Sequence, residues 1–339
     1  MSNTENKERI GITIGDPAGI GPEITLRALS EIKAGHLSQY LVIGDLDFLR
    51  KLNENLETGL ELAEFSDDLG SSAVQVVDLK NLREPFRIGE NSVIAGQAAG
   101  QYIHKAVELW RLGRIDAVAT APISKRSLAL GGYDFPGHTE FLASLTNTER
   151  FAMSFFADNL RVVLNSTHVS LSDAIGLVTK ERLVDLINFT DHSLSKLLGG
   201  NMKIAVAGLN PHASENGMFG SEESKIILPA IDECRKNGVN VSGPFSPDTV
   251  FLRGFRGEFD AVVALYHDQA TIAVKSLSFG SGVNVTLGLP LIRTSVDHGT
   301  AFDIAGKYCA DASSMVAAIR LARELSARKR ARAVKKLIR

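Results

Sequence analysis

Short runs of β-branched and aliphatic residues alternate along the chain with longer segments in which apolar positions recur every three or four residues. The runs lie at residues 10–14, 40–43, 73–77, 117–120, 161–164, 203–207, 261–266 and 283–287, each short enough for a strand. The clearest helical stretch is 95–112, where Ala95, Ala98, Tyr102, Ala106, Leu109 and Leu112 share one face. A second, 313–339, carries Met315, Ala318, Leu321 and Leu325 before a basic run of Arg328, Lys329, Arg330, Arg332, Lys335, Lys336 and Arg339. Strands and helices in alternation predict an open, largely parallel or mixed sheet with helices on both faces.

Composition narrows the setting. A chain of 339 residues with 44% hydrophobic content can bury a sizeable core and suits two domains or one large α/β unit better than one small domain. A formal net charge of -2 gives no global electrostatic case for nucleic acid or for an anionic membrane. The basic end reads as the solvated face of a helix, with a polyanion-binding tail as the sharper alternative. No apolar run approaches the roughly 20 residues of a membrane span, and no apolar leader opens the chain. Two cysteines, Cys234 and Cys309, are too few for a disulfide framework, so a reducing compartment, the cytoplasm, is expected.

Candidate chemistry gathers in loops. His168, His212 and His267 each stand at or just after a predicted strand among small or polar residues. Strand ends can bring distant positions together, and catalytic metals commonly take three protein ligands with one position open. Each histidine alone is better served by an ordinary structural role. The run Ile14-Gly15-Asp16-Pro17-Ala18-Gly19-Ile20-Gly21-Pro22-Glu23 joins a strand to a helix but lacks both G-x-G-x-x-G and a following Lys-Ser/Thr, which argues against a Rossmann site or a P-loop. Lys275 could be a helix-surface lysine and Arg293 a structural ion-pair partner. Asp248 and Asp268 could cap helices or orient a ligand histidine.

The N-terminal run and the later run Ser295-Val296-Asp297-His298-Gly299-Thr300-Ala301-Phe302-Asp303-Ile304-Ala305-Gly306-Lys307 resemble two signature loops of the isocitrate and isopropylmalate dehydrogenase superfamily. In order between them come Thr120-Ala121-Pro122-Ile123-Ser124-Lys125, Gly137-His138-Thr139-Glu140, Leu209-Asn210-Pro211-His212-Ala213, Tyr266-His267-Asp268-Gln269 and Gly282-Val283-Asn284-Val285-Thr286-Leu287-Gly288-Leu289-Pro290. Together these loops resemble the PdxA family of 4-hydroxythreonine-4-phosphate dehydrogenases, over nearly the whole chain.

The resemblance implies a non-Rossmann α/β fold of two domains with a cleft between them. Residues 1–125 and 285–339 would form the cofactor side, and 126–284 the metal, substrate and dimerisation side. It implies divalent metal ligands at His168, His212 and His267, with His267 reaching the site from the other subunit of a homodimer. Substrate contacts would fall on His138, Thr139, Lys275, Asn284 and Arg293, and catalytic assistance on Lys275, Asp248 and Asp268. His298, Gly299, Thr300 and Asp303 would line the adenosine side of NAD, with NADP the alternative. The metal could be zinc, magnesium, cobalt, nickel or manganese.

The implied reaction is oxidation of a small phosphorylated hydroxy acid by NAD, followed by decarboxylation. For 4-phosphohydroxy-L-threonine this gives 3-amino-2-oxopropyl phosphate, on the route to pyridoxal phosphate. Several positions depart from that pattern near the expected substrate: Ser214, Ala270, Ala273, Ser281 and the run Asn216-Gly217-Met218-Phe219-Gly220. That run resembles relatives acting on 4-phospho-D-threonate or 4-phospho-D-erythronate, and a dihydrodiol dicarboxylate dehydrogenase is a further relative. Retention of all three histidines with Lys275 and Arg293 argues against a catalytically idle binding protein. The loop resembling an NAD site argues against a metal-dependent hydrolase.

Overall fold

The computed structural model describes residues 8–32, 34–66, 73–278 and 282–338. The chain divides into two compact units, one formed by Met1–Arg150 with Leu289–Arg330 and the other by Phe151–Gly288 with Ala331–Arg339.

The first unit is built on β1 (Ile10–Thr13), β2 (Tyr40–Gly44), β3 (Leu62–Glu64), β4 (Val74–Asp78), β5 (Ala117–Thr120) and β12 (Ile292–Ser295), in spatial order β3-β4-β2-β1-β5-β12. Every pairing in that series is parallel. Strands buried on both faces need no polar alternation, and β1, β2, β5 and β12 are buried at every residue. Parallel strands require crossovers, supplied by α1 (Gly21–Ser30), α2 (Leu46–Leu56) and α3 (Val93–Arg111) among others.

Helix α3 carries the predicted stripe. Ala95, Ala98, Tyr102, Ala106 and Leu109 are buried, whereas Leu112 is the C-cap and 64% exposed. Gly96 on the same helix lets α4 (Lys125–Leu130) approach so closely that a Cβ would collide with the Ser127 carbonyl oxygen. Helix α5 (His138–Leu145) also packs on α3, through Phe141 and Leu142 against Ile103 and Val107. The first unit therefore keeps residues 126–150, and its first boundary falls at 150 rather than 125.

The second unit contains β6 (Ala152–Ala157), β7 (Leu160–Leu164), β8 (Ile204–Ala207), β9 (Val241–Phe245), β10 (Ala261–Ala264) and β11 (Val283–Leu287), in spatial order β11-β6-β7-β10-β8-β9. β11, β6 and β7 pair antiparallel, and β7, β10, β8 and β9 pair parallel. One face is covered by α9 (Pro247–Phe255) and α10 (His267–Ser278), which close a core of Leu160, Val162, Val250, Phe251, Phe259, Val262 and Ala270. The other helices of this unit are α6 (Leu171–Gly176), α7 (Lys180–Leu198) and α8 (Leu228–Lys236).

α11 (Ser313–Ile338) matches the terminal helix expected from the sequence. Its Arg330 forms a forked ion pair with Asp116, at 2.8–3.0 Å, so part of the basic run is engaged within the protein. Among the described residues no helix is long and apolar enough to cross a membrane. Both cysteines are free; burial pushes the Cys234 thiol up to about 11, while Cys309 is exposed.

Candidate active site

In the second unit β10 lies between β7 and β8, with all three parallel. The loops that follow them open at one edge, the carboxyl ends of the strands, where open α/β sheets place their ligands. These loops carry His168, His267 and His212.

Four hydrogen bonds knit the strand ends together. Asn165 N donates to Ala264 O at 2.8 Å and Ser166 Oγ to Leu265 O at 3.0 Å, which fixes the β7 loop on the β10 turn. Gln269 then bridges to β8: its Oε1 accepts from Leu265 N at 2.7 Å while its Nε2 donates to Gly208 O at 2.8 Å.

The His168 and His267 rings end with centroids 5.6 Å apart. They line a pocket of about 170 Å3 with Thr167, Tyr266 and Asp268. Asp268 Oδ1 lies 2.7 Å from His267 Nδ1 and orients the ring. Asp248 instead sits exposed in the first turn of α9, where Ser246 Oγ donates to it at 2.5 Å. Of the two aspartates considered from sequence, it is Asp268 that meets a histidine.

Two adjacent imidazoles suit a borderline divalent ion. Among the described residues, however, no three His, Cys, Asp or Glu side chains gather as a ligand set.

His212 occupies a segment with unusual backbone. From His212 to Asn216 every residue has positive φ, between 43° and 67°, a region rarely occupied by non-glycine residues. The segment is held from Glu223, whose buried carboxylate accepts from Leu209 N and Asn210 N at 2.8 Å each and from Asn210 Nδ2 at 2.9 Å. Sequence reasoning missed both Glu223 and Gln269; a polar residue opposite a ligand loop is visible only once the fold closes.

The first unit supplies the anion-binding candidates. Arg293, on β12, is 3% exposed, and its Nε and Nη2 donate to Thr120 Oγ1 on β5 at 3.2 and 2.9 Å. Burial lowers its guanidinium to about 10, with Glu140 opposing the shift. His138 is also buried, and desolvation followed by the charge of Arg293 holds its imidazole well below the usual histidine range. Its Nε2 is buried without a partner among the described residues. A neutral imidazole beside a buried cation is a polar pair suited to a hydroxylated anion.

In the second unit Asn284, on β11, is half-buried with an unpartnered buried Oδ1, and Lys275 is exposed on α10. Of the positions departing from the family pattern, Ala270 is fully buried in the core and Ala273 packs at its margin, so both act through packing. Ser281 lies outside the described residues.

The loop expected to face NAD is fastened to the N-terminal turn. Ile20 N donates to Thr300 O at 3.0 Å, and a Cβ on Gly19 would lie 2.9 Å from that carbonyl oxygen, so glycine permits the approach. His298 Nδ1 donates to Gly299 O at 3.0 Å, which leaves Nε2 as an acceptor, buried and unpartnered. Asp16 is fully buried with an unpartnered Oδ2, and desolvation raises its carboxyl pKa. Polar atoms left without partners beside a glycine cradle suit a polar cofactor. Asp303 and Gly299 are exposed.

A family model described as pyridoxal phosphate biosynthetic protein PdxA matches residues 36–322. A relative from Oceanobacillus iheyensis is 44% identical over 94% of this chain and 98% of its own; its name, given provisionally, is D-threonate 4-phosphate dehydrogenase. A 4-hydroxythreonine-4-phosphate dehydrogenase from Desulforapulum autotrophicum is 42% identical over 94% of this chain and 96% of its own. The crystal structure of a 4-hydroxythreonine-4-phosphate dehydrogenase from Klebsiella pneumoniae superposes with a TM-score of 0.87 at 41% identity, covering 96% of this chain and 99% of that one. Matched along almost its entire length by a family model and by dehydrogenases of both names, the chain belongs to the PdxA family and is an oxidoreductase.

Proposed function

We propose that this enzyme oxidises the secondary alcohol of a four-carbon, 4-phosphorylated hydroxy acid with NAD and, where the ketone formed is β to a carboxylate, releases carbon dioxide. The substrate of the first reading is 4-phosphohydroxy-L-threonine, giving 3-amino-2-oxopropyl phosphate. The observation that carries it is the buried Arg293 beside a neutral His138. A forked cation stripped of water binds phosphate strongly, and an uncharged imidazole can exchange a proton with a substrate hydroxyl.

Thr120 orients the guanidinium, and Thr139, Asn284 and Lys275 provide further hydrogen bonds and charge for the hydroxy-acid end. His168 and His267 would hold a divalent ion, with Asp268 fixing the His267 ring. When bound, such an ion supplies Lewis acidity that lowers the alcohol pKa and stabilises negative charge on oxygen. His212 is the third ligand, and the set is completed across a homodimer, with His267 brought by a second copy of the chain. Val169 and Leu171, 47% and 60% exposed at the edge of the imidazole pocket, offer that copy an apolar rim. His298, Gly299, Thr300 and Asp303 hold the dinucleotide that accepts the hydride.

A second reading, 4-phospho-D-threonate or 4-phospho-D-erythronate, is favoured by the positive-φ segment ending at Asn216 and by the name of the Oceanobacillus relative. Both readings are tested by following NADH formation with the three substrates in parallel, before and after chelation. Chelator-sensitive turnover of 4-phosphohydroxy-L-threonine supports the first reading, and turnover confined to the sugar acids supports the second. Absence of turnover with all three would remove both. Mixing His168→Ala and His267→Ala chains should restore part of the activity if the second copy supplies His267.

A further inference from the structure

The segment that carries His168 has little packing of its own. His168, Val169 and Ser170 are exposed, and α6, which follows them, buries only Ala174. Side-chain burial therefore does not fix the imidazole, and the segment is held from its ends.

Both ends meet at one residue. Asn165, the first residue after β7, is 3% exposed. Its Nδ2 donates at 3.2 Å to the carbonyl of Leu177, the C-cap of α6, so one amide closes residues 165–177 into a loop. Inside the loop Ser170 Oγ accepts from Asp173 N at 3.2 Å, and Leu177 N donates to Asp173 O at 3.0 Å. With α6 capped at both ends, the orientation of the loop is passed to it through Asn165.

Arg182 grips Asn165 from the first turn of α7, where its own backbone N–H donates to the N-cap Thr179 Oγ1 at 3.3 Å. The guanidinium reaches back across the loop. Its Nε and Nη2 donate to Asn165 O at 3.1 and 2.6 Å, and Nε also donates to Asn165 Oδ1 at 3.3 Å. A planar fork delivers its donors in fixed directions, which the point charge of a lysine does not reproduce. With Asn165 N donating to Ala264 O at 2.8 Å, every polar atom of Asn165 is engaged. Aspartate there would lack the donor to Leu177, and an apolar residue would lack both side-chain bonds.

This contact is separate from the core. Buried Leu183, Leu186, Ile187, Phe189 and Leu194 anchor α7, whereas Arg182 is exposed. An exposed cation whose charge-assisted hydrogen bonds converge on one neutral residue contributes orientation rather than burial.

We propose that Arg182 and Asn165 are positioning residues of the metal site, clasping the base of residues 165–177 and so aiming His168 at the ion. The proposal rests on the reading of His168 as a metal ligand and gives neither residue a contact with ion or substrate.

The test titrates the purified full-length protein, freed of metal, with Co2+ in calorimetry. The visible spectrum of the Co2+-loaded protein reports the arrangement of donors about the ion. Arg182→Met keeps the aliphatic stem and removes the fork. It should weaken Co2+ binding by about 10–100-fold, the scale for a residue that orients a metal ligand, and should shift the visible bands. Arg182→Lys should recover only part of the loss. Asn165→Asp should also bind Co2+ more weakly, and if that buried change prevents folding the exposed Arg182 still decides the matter. A merely structural role would lower the melting midpoint of Arg182→Met and leave its Co2+ affinity and spectrum as in the unmodified protein. That result overturns the proposal while the metal reading stands. If the unmodified protein binds no Co2+, the metal reading falls and the proposal with it.

Discussion

Thr120→Val removes the hydroxyl that aims the buried guanidinium, together with its own weaker donation to Thr294 O at 3.3 Å. The hydroxyl accepts from two nitrogens of Arg293, at 3.2 and 2.9 Å, and valine replaces it with a methyl group of similar size. Thr120 is 1% exposed and Arg293 3%, so water cannot take the place of the lost acceptor. Hydrogen bonds to charged groups contribute about 1.5–3 kcal/mol each, and leaving a buried donor unsatisfied carries a similar penalty. The two bonds share one oxygen, so a total of about 2–3 kcal/mol is expected, a fall of roughly 4–12 °C in the melting midpoint of a unit of this size. A guanidinium free to turn should also raise KM for the phosphorylated substrate by about tenfold, with a smaller effect on kcat. Thr120→Ser keeps the hydroxyl and should recover most of both losses. If Thr120→Val melted and bound substrate like the unmodified protein, other partners would be aiming Arg293 and the reasoning would fail.

Removing either His168 or His267 should abolish tight binding of a divalent ion in calorimetry. Because the rings face one pocket, the double variant should lose little more than either single one; additive losses would mean two separate sites. Gln269→Ala should weaken metal binding by about 10–100-fold, although the residue touches no ion, because it ties the β8 loop to the β10 turn; an unchanged affinity would show that the loops hold their places without it. His138 makes stability depend on pH. Its folded pKa is depressed by burial and by Arg293, so its contribution is complete above the unfolded value of about 6.5 and is lost as pH falls below it. Urea unfolding at pH 7.5, 6.5 and 5.5 should show a shallower decline for His138→Gln than for the unmodified protein, and parallel declines would refute the assignment.

Eight strands were legible as short β-branched or aliphatic runs, whereas β3, β6 and β9 were not. β5 and β11 fall at the residues expected, and β1, β2, β4, β7, β8 and β10 overlap their predicted runs. β12 was not legible, because Ile292-Arg293-Thr294-Ser295 reads as polar although all four residues are buried. The polarity has a physical source: Arg293 and Thr120 form a hydrogen-bonded pair across two neighbouring strands. Local pattern and tertiary burial disagree at the position proposed to hold phosphate, as expected where function overrides packing.

The histidines show the complementary limit. Their spacing along the chain carries no metal signature, and only the strand order β7-β10-β8 brings their loops to one edge. Resemblance named the residues, but sequence order cannot say which strand lies between which. That same order makes His267 the middle histidine, packed beside His168 and joined to the His212 loop through Gln269. The backbone of that last loop is strained at residues 212–216 and held from Glu223. A position held against its conformational preference by a buried carboxylate can be reset by small changes nearby, which makes 212–220 the segment where relatives with the same metal ligands can diverge in substrate. Exchanging residues 214–220 for those of the Desulforapulum relative should therefore shift the ratio of kcat/KM between 4-phosphohydroxy-L-threonine and 4-phospho-D-threonate while leaving NAD affinity unchanged. An unaltered ratio would place discrimination elsewhere, among the residues that surround Arg293.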